Sequence, residues 1–162
     1  MNLPDVSPVA ALLALAVFGV LFATPLHRMR GVLLVWPGTV AHELAHWSIA
    51  LLTGCRPNFP NLWAKRNPDG SITLGQVSFQ AKPFFSAWVA LAPFLLLGPA
   101  SYLLVVSPSN TSVLVAISNG VLAGYFAWGS LPSSQDLKIA LQDPIGLLAV
   151  IFAGWGLHTA LG

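Results

Sequence analysis

The sequence predicts an all-α, multi-pass membrane protein of about five transmembrane helices, with one small β-hairpin inserted after the second. Three observations carry this. Of 162 residues, 56% are hydrophobic and only 7% charged, against about 25% charged in a soluble domain. Charged side chains are missing from residues 6–26 and again from 83–135. The segment 55–82 differs in kind, because it gathers Arg56, Lys65, Arg66 and Lys82, four of the seven basic residues. No internal repeat divides the chain, so residues 1–162 are read as one membrane-embedded domain.

The first span is placed at 6–26, long enough to cross a hydrocarbon layer of about 30 Å at about 1.5 Å per residue. Met1 to Asp5 lacks the basic residues of a signal peptide, so the span is expected to be retained. The second runs from Gly31 to Gly54, with Gly54 as the helix stop. The third and fourth, near 83–106 and 112–131, are separated by the turn Ser107-Pro108-Ser109-Asn110. The last begins at Asp143-Pro144, a helix cap followed by proline at the first helical position, and continues to Gly162.

Within 55–82, the turn signal Asn67-Pro68-Asp69-Gly70 separates residues 61–66 from 71–79. In the second arm Ile72 and Leu74 alternate before Gly75, then Val77 and Phe79 after it. This predicts a hairpin with a kink or bulge at Gly75. Its 71–79 arm is expected to offer an unpaired edge to an unwound substrate. Arg56, Lys65, Arg66, Lys82 and Lys138 fall on one side of the membrane and Arg28 with Arg30 on the other, which places the hairpin on the cytoplasmic side.

Composition also excludes functions. The net charge is +2 and the bases are scattered, so no nucleic-acid partner is expected. Cys55 is the only cysteine, which rules out an internal disulfide. Gly98 to Ala100, and Gly120 with Gly124, are expected to let helices pack closely.

The chemistry concentrates in one place, His42-Glu43-Leu44-Ala45-His46. On a helix, His42 and His46 stack on one face, about 6 Å apart, which is zinc-ligand spacing. Glu43 lies about 100° around from His42, poorly placed as a ligand but able to reach a water held by the metal. Three such side chains inside a membrane helix are costly unless a partner, a metal or a water-filled cavity relieves them. His42 and His46 are therefore expected as Zn2+ ligands and Glu43 as the catalytic base.

Zinc needs a third protein ligand. Besides Glu43 the carboxylates are Asp5, Asp69, Asp136 and Asp143, and the other imidazoles are His27 and His158. Asp5 precedes the first span, Asp69 sits in the hairpin turn and Asp143 caps the last helix. His27 and His158 fall towards the opposite face. Asp136 is left as the expected ligand, with one competing role: Ser133 and Asp136 also have the spacing of a capping box. Asp136 must be drawn into the bilayer to meet the histidines, and Pro132 is the expected break that allows it.

A membrane helix bearing HExxH, then a β-hairpin, then a membrane segment offering one aspartate resembles the site-2 protease family of intramembrane zinc metalloproteases. The resemblance covers residues 31 to about 142, although Asp136 is followed by Leu137 where the family's motif has glycine. It implies Zn2+ held by two histidines and an aspartate, a catalytic glutamate, and an active site open towards the cytoplasm. The implied substrate is a membrane protein or peptide cleaved in or beside the bilayer. The expected location is the cell (inner) membrane, in the lipid bilayer, and a homo-oligomer is compatible with the sequence. The alternative is a non-catalytic metal-binding membrane protein, for which Glu43 would have no use.

Overall fold

The computed structural model describes residues 5–24, 29–66, 68 and 72–161, and the chain is mostly helical. In order, the elements are α1 (Pro8–Ala23), α2 (Met29–Leu52), strands β1 (Lys65–Arg66) and β2 (Ile72–Thr73), α3 (Ser86–Ala90) and a 3-10 segment (Ala92–Leu96). Helices α4 (Leu97–Val105), α5 (Val113–Gly129), α6 (Ser134–Leu141) and α7 (Pro144–Leu161) follow.

The sequence places one helix over 83–106, and the structure breaks it into α3, the 3-10 segment and α4. Pro93 is the physical cause: it has no N–H for the carbonyl of Val89 four residues earlier, and its ring crowds that carbonyl. Likewise the fourth helix stops at Gly129, and the chain bends by 50° past Pro132 before α6 starts. Among the described residues no single helix is long and apolar enough to cross a membrane, and α5 with α6 meets that test only as a bent pair.

Helix ends follow the local chemistry. Gly54 takes φ 66° just beyond α2, the Cys55 N–H donates to Ala50 O at 2.8 Å and the Gly54 N–H to Leu51 O at 3.1 Å. This is a Schellman stop. Its apolar contact is Cys55, wholly buried with Ala50 and Val89, which gives the lone cysteine a packing role. Lys82 Nζ donates to Gly54 O and so binds the hairpin's last residue to the end of α2.

Small residues set the packing. A side-chain carbon at Gly120 would lie 2.6 Å from Ala10 O, and one at Gly124 would lie 2.7 Å from Val17 Cβ. These two glycines, one turn apart, let α1 lie directly on α5, as the sequence leads one to expect, whereas a side-chain carbon at Gly98 would meet nothing within 4 Å, so no helix approaches closely there. Gly38 of α2 meets Gly129 of α5 in the same way, because a Cβ on Gly129 would stand 2.7 Å from Gly38 O. Ala87, Ala90 and Ala140 join α3 to α6. Helix α7 packs on α3 and α6 through its first turns, and beyond Val150 every residue whose side chain is described is exposed.

The hairpin is real but placed differently from expectation. Lys65 pairs with Thr73 and Arg66 with Ile72, antiparallel, and an isolated bridge joins Asn61 to Gln76. Between those two pairings the first arm holds one residue more than the second. The extra residue therefore lies within 62–64, and Gly75 is not the bulge. Rather than projecting past the end of α2, the arm runs back along it: Phe59 meets Trp47, Trp63 stacks on Trp36, and Trp36 Nε1 donates to Leu62 O at 2.9 Å. From Leu52 back to Trp36 is about 24 Å of helix, so the hairpin lies beside the HExxH turn. Aromatic pairing along α2 is what draws it there.

Candidate metal centre

Helix α2 presents His42, Glu43 and His46 at its middle, as the four-residue spacing requires. The two imidazoles meet edge to face, with Nε2 atoms 3.0 Å apart. His42 Nδ1 lies 2.8 Å from Gly129 O, and His46 Nδ1 lies 2.7 Å from Val89 O. A carbonyl can only accept, so each Nδ1 carries its proton, and a neutral ring then keeps its Nε2 lone pair for a metal. With both rings neutral, the two Nε2 lone pairs repel unless a metal ion or a shared proton lies between them.

The carbonyls that hold the rings are free for a definite reason. The helical donor for Val89 O would be residue 93, a proline. For Gly129 O the candidates are Pro132, which has no N–H, and Ser133, whose N–H donates to Asp136 Oδ2 at 2.7 Å. Two prolines thus expose two helix-end carbonyls, and the histidines take them. Pro132 is legible in the sequence as a helix break. Pro93, four residues after the carbonyl that holds His46, is the corresponding signal, and it has meaning only once the fold brings Val89 to His46.

Asp136 completes the group. Its Oδ1 is 3.2 Å from His46 Nε2 and its Oδ2 is 3.4 Å from His42 Nε2. It is also N3 of α6 in a full capping box, with Ser133 Oγ accepting its N–H at 3.2 Å. The sequence leaves ligand and cap as competing roles, whereas in the structure one carboxylate makes the cap and also stands beside both histidine Nε2 atoms. The cap fixes the side chain, and its outer lone pairs turn to the histidines. His42, His46 and Asp136 form a group able to hold a metal ion, one ligand atom from each lying within 4.8 Å of the others.

The other candidates lie elsewhere. Asp5 accepts from Ser109 Oγ at 2.7 Å. Asp143 accepts from the N–H groups of Phe84, Ala87 and Gly146 at 3.0, 3.2 and 3.2 Å, tying the start of α3 to the start of α7. Burial raises its pKa, but those amides outweigh burial and hold it below the ordinary carboxylate value. His158 is exposed in the last turns of α7, while His27 and Asp69 lie outside the described residues. Asn119 Nδ2 donates to the wholly buried Ser107 at 2.8 Å and braces the α4–α5 turn.

Glu43 is buried beside the histidines. The second hairpin arm crosses it, with Gly75 against its side chain. On the side of the arm that faces residues 61–66, Gln76 exchanges 3.0 Å bonds with Asn61 and Thr73 pairs with Lys65, so any unpaired edge the arm offers is the opposite one. An open cleft of about 1440 Å³ is lined by this arm on one side and by Ser133, Gln135 and Asp136 on the other, with His42, Glu43 and His46 between them. Compared with protein-family models, curated proteins and solved structures, the chain finds no match.

Proposed function

We propose that the protein is a membrane-embedded zinc metalloprotease, a minimal relative of the site-2 proteases, that hydrolyses peptide bonds of membrane-spanning or membrane-adjacent substrates. The observation that carries the reading is the convergence of two imidazoles and one carboxylate beside a second, non-ligating carboxylate at an open cleft. The three ligand separations, 3.0, 3.2 and 3.4 Å, match the edges of a tetrahedron with bonds of about 2.0–2.1 Å, which are about 3.3–3.4 Å. Two neutral histidines and one carboxylate, each oriented by a second partner, suit Zn2+ and leave one position open.

When bound, zinc polarises a carbonyl and acidifies a water. The chain's own residues supply the rest. His42 and His46 are held by Gly129 O and Val89 O, and Asp136 by the Ser133 N–H. Glu43, one helix position beyond His42 and not part of the ligand group, is the group that takes the water's proton at its carboxylate and returns it to the leaving amine. The cleft between the hairpin arm and α6 accommodates an extended peptide, as a substrate helix must be unwound before its carbonyls can be attacked.

Exposed apolar side chains support a bilayer around this core. Phe22 on α1 is 71% exposed, Leu114 on α5 75% and Phe152 on α7 62%. Water does not favour so many large exposed apolar groups on one monomer, and lipid does. The proposed location is an integral one in the cell membrane, with the site nearer the cytoplasm.

The test is Glu43→Gln. It should retain metal and fold while losing cleavage of single-span substrates, because an amide cannot accept the proton. Wild-type cleavage by this variant would refute the protease reading and leave a metal-binding membrane protein.

A further inference from the structure

Gly75 is glycine for a reason its backbone does not supply. Among the described glycines only Gly54 has a positive φ, so an alanine at 75 would meet no conformational penalty. What it would meet is Glu43. A Cβ built at Gly75 lies 2.7 Å from Glu43 Cγ, 2.9 Å from Oε1 and 3.0 Å from Cδ. Its three nearest neighbours all belong to this one side chain.

We propose that Gly75 is a positioning residue for the catalytic base, its bare Cα forming the wall against which Glu43 lies. The inference rests on the reading of Glu43 as base. A glutamate has three rotatable bonds, and a general base must stand within hydrogen-bond reach of the proton it takes. The hairpin arm removes that freedom from outside α2, through a contact that touches neither histidine nor Asp136. The arm therefore sets the base independently of the metal.

The experiment is a double-mutant cycle on the zinc-loaded full chain in detergent. Gly75→Ala alone should keep its zinc and lose about a hundredfold in kcat, within the range a general base contributes. Wild-type kcat in Gly75→Ala overturns the proposal. Glu43→Ala removes Cγ, Cδ and Oε1, the three atoms that a Cβ at position 75 would meet, and so supplies the background in which Gly75→Ala finds nothing to strike.

Thermal unfolding gives a second readout where Gly75→Ala folds poorly. The loss of Tm it causes should disappear when Glu43 is alanine, and an equal loss in both backgrounds overturns the proposal. Wild-type cleavage by Glu43→Gln would overturn the base assignment and this inference with it. An inactive Glu43→Gln beside a fully active Gly75→Ala would overturn this inference alone.

Discussion

Asp143→Ala tests how the structure distributes its polar bonds. A helix cap alone is worth about 1 kcal/mol, and the sequence gives Asp143 only that duty. In the structure its Oδ1 accepts from Phe84 and Gly146 and its Oδ2 from Ala87. Two of these three donors belong to the other end of an inter-helix junction. Hydrogen bonds to a charged group contribute about 1.5–3 kcal/mol each, so taking the lower figure for the two long-range bonds raises the expected loss to about 4 kcal/mol. Asp143→Asn keeps an oxygen for Phe84 and Gly146 but turns an amide NH2 towards Ala87, and should lose about half as much.

The assay is the unfolding free energy in detergent micelles, measured against pH. Because the folded pKa of Asp143 is depressed below 3.8, its stabilisation is complete above that value and is lost as pH falls through the folded pKa. The alanine variant should lack this acid-side decline. A loss of only about 1 kcal/mol, with an unchanged acid profile, would refute the double-cap argument.

Two further outcomes follow from close backbone approach. Gly124→Val should cost about 2 kcal/mol by forcing α1 off α5, whereas Gly19→Ala, with nothing within 4 Å of its added carbon, should leave unfolding unchanged. Gly129→Ala places a methyl group against Gly38 O and displaces the carbonyl that holds His42. Zinc affinity measured by chelator competition should then fall by about 10–100-fold.

Much of this was legible in the sequence because it is local. The four-residue spacing of His42 and His46, the glycine stop at 54 and the Gly120–Gly124 seam all depend on near neighbours, while most of the turn signal at 67–70 lies outside the described residues. Asp136 emerged by elimination among few carboxylates. What could not be read depends on tertiary contact. The hairpin's return along α2 is fixed by Trp47 with Phe59 and Trp36 with Trp63, pairs with no sequence signature. The carbonyls anchoring the histidines come from α3 and α5, and Pro93 betrays one of them only once the fold is known. Gly75 looks like a bulge in sequence because period-two alternation resets there, yet its neighbour in space is Glu43, thirty-two positions earlier. Ligand and cap were set against each other at Asp136 because sequence spacing cannot show that one carboxylate faces both ways.

The most direct measurement is metal content. Wild-type protein, purified in detergent with zinc and dialysed, should carry about one metal ion per chain by elemental mass spectrometry, as a single three-residue site requires. Asp136→Ala should carry almost none, while Asp143→Ala, also an aspartate at a helix start, should remain loaded. Full occupancy in Asp136→Ala, or a metal-free wild type under saturating zinc, would contradict the site.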